Sequence, residues 1–246
     1  MEITSLYQEP ESASVAVEWP ALEMIDVFKL FRSGPVETVA LRGLDVRIER
    51  GEFVAVLGRS GSGKSTFLHL AAGLDEASAG EVRAFGQPLG QLDERGLAGH
   101  RARTVALVLQ SDNLWADLTA RENVVVALRL AGVADPSSQA DSALSMFGLD
   151  RRADHRVTAL SGGEQQRVAI AAAAAREASL VLADEPTGEL DARNEEIVLE
   201  ALRRLRAECG STVVTVTHSR RVAEAADRIV QIVDGRSVAA EPGARS

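Results

Sequence analysis

Apolar residues along this chain follow two patterns. Short unbroken runs occur at Phe53 to Leu57, Leu180 to Ala183 and Thr212 to Thr217, each closed by a glycine, an acid or a histidine. Runs of that length without polar alternation suit parallel strands buried on both faces. Segments with helical period lie between them, and the alternation predicts an α/β core with a mainly parallel sheet. Upstream, ALEMIDVFKLF (21 to 31) reads as a strand, RSGPVE (32 to 37) as a turn, and 41 to 58 as two strands joined at Arg50 and Gly51.

From about 112 to 175 strand signals nearly vanish while helical ones accumulate, which predicts a helical lobe inserted in the core. Thr119 precedes Glu122 by three positions, a capping-box spacing that satisfies orphaned backbone donors at a helix start. The expected layout is a polar tail over 1–20, one domain over 21–236 and a short tail over 237–246 whose end frays. The alanine run 171 to 175 reads as a helix former that permits close packing.

Length and charge narrow the function. At 246 residues and 46% hydrophobic, the chain can bury a full core. Its formal net charge of −9 opposes attraction to polyphosphate backbones, so no nucleic-acid partner is expected. The single cysteine, Cys209, cannot form an internal disulfide, and the first twenty residues resemble no export leader. Its most apolar tracts are interrupted by Arg129, Arg176 and Glu177, short of the roughly twenty apolar residues that span a bilayer. A cytoplasmic chain is expected, with any membrane function borrowed from a partner.

The first chemical motif is Gly58-Arg59-Ser60-Gly61-Ser62-Gly63-Lys64-Ser65-Thr66, which follows a buried strand and precedes an amphipathic helix start. Glycines let the backbone curl so that successive N–H groups and the positive helix end face phosphates; Lys64 neutralises charge and the Ser65 hydroxyl ligates Mg²⁺. The strand SLVLADE ends in Asp184 and Glu185, whose side chains point opposite ways and need different work. Asp184 can approach Mg²⁺; Glu185 can orient or deprotonate a water at the γ-phosphate. The plain alternative for the pair is an acidic cap on the next segment.

His218 follows the strand TVVTVT at the edge where α/β sheets bind ligands, and either contacts the γ-phosphate and its water or serves the structure alone. Gln110, after VALVL, can offer a neutral amide to the metal or the water. LSGGEQQR places Ser161, Gly162, Gly163 and Glu164 at a second helix start, an anion site by construction and also a capping box. A plain cap does not need two glycines, each costing about 1 kcal/mol in a helical turn, which favours a role beyond capping.

Taken together, GRSGSGKST, Gln110, LSGGEQQR, LVLADE, Leu190-Asp191-Ala192 and His218 resemble, over 22 to 236, the nucleotide-binding subunit of ATP-binding cassette transporters. The tighter likeness is to the ATPases of lipoprotein release, macrolide export and cell-division signalling, carried by LQSDNLWADLTARENV and PTGELD. Leu109 stands where a phenylalanine is common, and Ala172 where arginine often occurs. The resemblance implies a P-loop NTPase core with a mainly parallel sheet, an N-terminal antiparallel β-subdomain and an inserted α-helical subdomain. It implies ATP and Mg²⁺ as cofactors, with Ser65, Gln110 and Asp184 at the metal. It also implies a head-to-tail homodimer in which Ser161 to Glu164 touch the partner copy's ATP and Asp191 lies at the interface.

Phe31 takes the place of the adenine-stacking aromatic, or else closes the core at its strand end. Ser111 to Leu118, with an exposed Leu114 and Trp115, takes the place where an integral membrane permease docks, or else packs the helical lobe. An ATPase at the cytoplasmic face of the plasma membrane is implied, driving either transport or a signalling complex that gates an extracellular enzyme.

Overall fold

The computed structural model describes residues 18–34 and 36–238; most of both expected tails lies outside them. An antiparallel sheet is built from β1 (Leu22–Ser33), β2 (Val36–Ile48), β4 (Ala79–Ala84) and β5 (Gln87–Pro88), in the order β2-β1-β4-β5. The turn expected over 32 to 37 is tighter, because both strands run into it.

A second sheet has the order β10-β9-β3-β8-β7-β6. It consists of β3 (Phe53–Leu57), β6 (Val105–Val108), β7 (Leu180–Asp184), β8 (Thr212–Thr217), β9 (Arg228–Val233) and β10 (Arg236–Val238). All its pairings are parallel except the edge strand β10. Although β2 and β3 are joined by a short turn, they belong to different sheets, so the chain steps from one layer to the other near Arg50 and Gly51.

Strand alternation explains the unbroken apolar runs. Phe53, Val181, Ala183 and Val213 face one core, which they share with the helical lobe and α6 (Ala192–Cys209). Val54, Val56, Leu180, Leu182, Val214 and Val216 face the other, shared with the antiparallel sheet and α1 (Lys64–Ala71). Successive side chains point to opposite faces, and since both faces are covered, both sets must be apolar.

The run 112–175 contains α3 (Ala120–Leu130), α4 (Pro136–Met146) and α5 (Gly162–Ala175) and, among the described residues, no strand. The capping box at α3 is formed in full: the Thr119 hydroxyl accepts from the Glu122 N–H, and Glu122 accepts from the Thr119 N–H. The weakly patterned helix α2 (Glu94–Arg103) and the short α7 (Arg220–Ala225) complete the fold.

Candidate nucleotide site

Strand register assembles the site. Leu57 pairs with Thr217, Val216 with Asp184, and Ala183 with Val108, so β3, β8, β7 and β6 end together at one edge of the sheet. That edge therefore carries the glycine-rich loop, His218, the acid pair and Gln110 side by side, although they are spread over 160 residues from Gly58 to His218.

The loop is shaped by close approach. A side chain at Gly63 would meet the Ala40 carbonyl oxygen at 2.6 Å, and Gly63 has φ +105. A side chain at Gly58 would meet the Ser62 hydroxyl at 2.4 Å and the Ile232 carbonyl at 2.5 Å. Only glycine fits at these two positions. Gly63 caps α1 with no side-chain hydrogen bond, so the first N–H groups of the helix could take an anion. Arg59, Ser60, Gly61 and Ser65 are exposed, Thr66 is half-buried, and Ser62 is buried. Lys64 Nζ donates to the carbonyls of Gly58 at 2.9 Å and Arg59 at 3.1 Å, spanning the loop.

Ser65 Oγ lies 3.5 Å from Asp184 Oδ2. Burial, and then the nearby Glu185, push the Asp184 carboxyl above its usual range. Glu185 has φ +45, a left-handed conformation uncommon for a residue with a side chain, and its N–H donates to the Val216 carbonyl at 2.9 Å. Strain of this kind collects at functional sites. Its carboxylate receives the His218 N–H at 3.2 Å and lies 2.9 Å from His218 Nδ1. The Gln110 amide donates to Glu189 at 3.1 Å.

The second glycine turn is a complete cap within one chain. Ser161 Oγ accepts from the Glu164 N–H at 3.3 Å, and Glu164 accepts the Ser161 N–H at 2.8 Å. The other Glu164 oxygen takes Arg152 Nε at 2.8 Å. Burial raises the Glu164 carboxyl, but its bonds to Ser161 and Arg152 outweigh that and hold it below its usual range. Gly163 has a packing reason that the sequence argument did not anticipate, since a side chain there would meet Asn194 Oδ1 at 2.8 Å. Among the described residues, no hydrogen bond or ion pair joins 161–164 to 58–66. The Asp191 carboxylate caps α6 through the N–H groups of Arg193 and Asn194.

Two expectations need correction. Phe31 does not close a core: it is 42% exposed, with Lys29 Nζ 5.0 Å from its ring centre. Leu114 is half-buried against the helical core and only Trp115 stands out, because the buried Asn123 grips the Trp115 N–H at 2.8 Å and so turns the loop. Sequence reasoning also missed Gln166, which is 5% exposed and donates to the Leu109 and Gln110 carbonyls at 2.8 Å each. An amide between a glycine pair and the apolar VAIAAA was the signal available.

Comparison with known proteins agrees with this geometry. Residues 41–188 match the family model described as ABC transporter. The lipoprotein-releasing system ATP-binding protein LolD of Anaeromyxobacter dehalogenans is 43% identical, over 94% of this chain and 98% of its own length. The macrolide export ATP-binding/permease protein MacB of Azoarcus sp. is also 43% identical over 95% of this chain, which spans only 36% of that relative. The cassette MJ0796, solved as a dimer in a post-hydrolysis state with ADP and Pi, superposes with TM-score 0.81 at 38% identity, covering 88% of this chain and 96% of that one. No described helix is long and apolar enough to cross a membrane. The chain thus belongs to the ABC transporter family, as an ATP-binding, ATP-hydrolysing subunit.

Proposed function

We propose that this chain works as a head-to-tail homodimer that closes on ATP and reopens on hydrolysis, driving a conformational change in a separate membrane permease. One observation carries the reading: the glycine loop, the acid pair, His218 and Gln110 share one sheet edge, while the Ser161 turn makes no bond to them. A second copy supplies the missing half.

In this reading the N–H groups of the loop Gly58 to Thr66 and Lys64 bind the phosphates, and Phe31 stacks on the adenine with its exposed ring. Ser65, Asp184 and Gln110 offer the hard oxygen donors that Mg²⁺ prefers, with Ser65 Oγ 3.5 Å from Asp184 Oδ2. When bound, that ion neutralises charge on the phosphates. Glu185 accepts the proton of the attacking water, and His218, 2.9 Å away, holds the carboxylate and the γ-phosphate in line. Ser161, Gly162, Gly163 and Glu164 close over the partner's nucleotide, with Asp191 at the interface beside them.

Trp115, 54% exposed within Ser111 to Leu118, marks the permease contact at the cytoplasmic membrane face. The names of the relatives, lipoprotein release and macrolide export, favour transport over signalling. The test is Ser161→Arg, which should leave ATP bound to the monomer while abolishing dimer formation and turnover. Turnover at the parent rate would refute the composite site. Co-purification of the permease from membranes tests the partner.

A further inference from the structure

Gln166 lies in the second turn of α5, one turn beyond the Ser161 cap. Its amide is used on every side. The nitrogen donates to the carbonyls of Leu109 and Gln110, and the oxygen accepts from Asn113 Nδ2 at 3.1 Å. Asn113 also closes a ring on Leu109, accepting its N–H and donating to its carbonyl at 2.6 Å each. A buried amide with both N–H donors and its oxygen engaged fixes geometry, since any shift of the loop strands a polar group. The Gln110 side chain stays outside this knot, exposed and resting on Glu189. The backbone that carries Gln110 is therefore fastened to the helix that begins at Ser161, while its side-chain amide is bonded to Glu189 and lies outside the knot.

We propose that Gln166 is a positioning residue that makes the Gln110 loop and the Ser161 turn of one chain move as one body, coupling the two ATP sites of the dimer. The proposal rests on the composite-site reading. In that dimer Gln110 faces the nucleotide on its own loop, whereas Ser161 of the same chain faces the nucleotide on the partner's. Whatever Gln110 reports about one site thus reaches the other through the Gln166 amide. Coupling between sites is reciprocal and appears as cooperativity in ATP, with a Hill coefficient between about 1 and about 2 for two sites. An amide that merely packed the core would change stability and leave cooperativity alone.

The experiment compares the full chain with Gln166→Leu and Asn113→Ala, which break the knot from opposite ends. ATP binding to the monomer, ATPase rate against ATP concentration and thermal melting are measured for each. In the parent a Hill coefficient well above 1 is expected, falling to about 1 in both variants, with kcat down roughly tenfold and monomer affinity within about twofold. Cooperativity retained in a folded variant, absence of cooperativity in the parent, or parallel loss of ATP binding would each overturn the proposal. Should Gln166→Leu fail to fold, Asn113→Ala decides. Parent-rate turnover in Ser161→Arg is a distinct failure, since it removes the composite site itself.

Discussion

Glu185 and His218 hold each other: one carboxylate oxygen lies 2.9 Å from Nδ1 of the histidine, and the other accepts the His218 N–H at 3.2 Å. The pair joins the ends of adjacent strands, β7 and β8, and fixes the side chain proposed to take a proton from water. Glu185→Gln keeps the size and the His218 N–H bond but loses the base. Turnover should fall by about 10²- to 10⁴-fold, and an ATP-bound dimer should accumulate on gel filtration. Near-normal turnover in this variant would remove the glutamate from the chemistry.

Arg152 offsets a carboxylate in the proposed anion site. Glu164 sits in the first turn of α5, where the helix end attracts negative charge, and Arg152 Nε contacts it at 2.8 Å. In Arg152→Ala the bare Glu164 charge should oppose phosphate, raising the KM for ATP by about tenfold, more at low salt. Adding Glu164→Gln, which keeps a capping-box side chain, should bring the KM back toward the parent value. If the second substitution worsened the first, the pair would be acting through loop stability alone.

Gly162 and Gly163 should differ sharply. A methyl group at Gly163 meets the Asn194 side chain at 2.8 to 3.1 Å, whereas one at Gly162 meets only the tip of Leu190 at 3.2 Å. Gly163→Ala should destabilise by about 1–3 kcal/mol through overpacking. Gly162→Ala should stay within about 1 kcal/mol of the parent, since Leu190 can yield and alanine favours helix. Chemical denaturation of the two variants checks the order.

His100 gives stability a pH dependence. It is buried in α2 with Nε2 lacking a partner among the described residues, and burial, reinforced by Arg101, lowers its pKa below the ordinary histidine value. The unfolded chain thus takes up the His100 proton more readily than the folded one, so this stability is fully present above the unfolded value near 6.5 and is lost as pH falls below it, through the lower folded value. Melting temperature should decline from about pH 7 to about pH 5, and His100→Gln should flatten that part of the slope. A slope unchanged in the variant would assign it to other groups.

Much of the site was legible because its chemistry is local in sequence. The loop GRSGSGKST, the acids after an apolar strand and the serine-glycine-glycine turn each carry their geometry within a few residues. The doubly buried strands were legible as well, since a strand covered on both faces cannot alternate. Other elements were missed where local signals are weak: α2 is polar almost throughout, β9 opens on Arg228 and is interrupted by Gln231, and β10 is only three residues long.

The sequence by itself determined which groups are candidates for a nucleotide site: the glycine-rich loop, the lysine, the acids and the capped second turn. Tertiary structure alone decided how they meet. Register across β3, β8, β7 and β6 brings four distant strand ends to one edge. Packing against Asn194 explains Gly163, and a buried Gln166 ties the Gln110 loop to α5. Those facts depend on contacts between residues far apart along the chain, and propensity and spacing describe only neighbours.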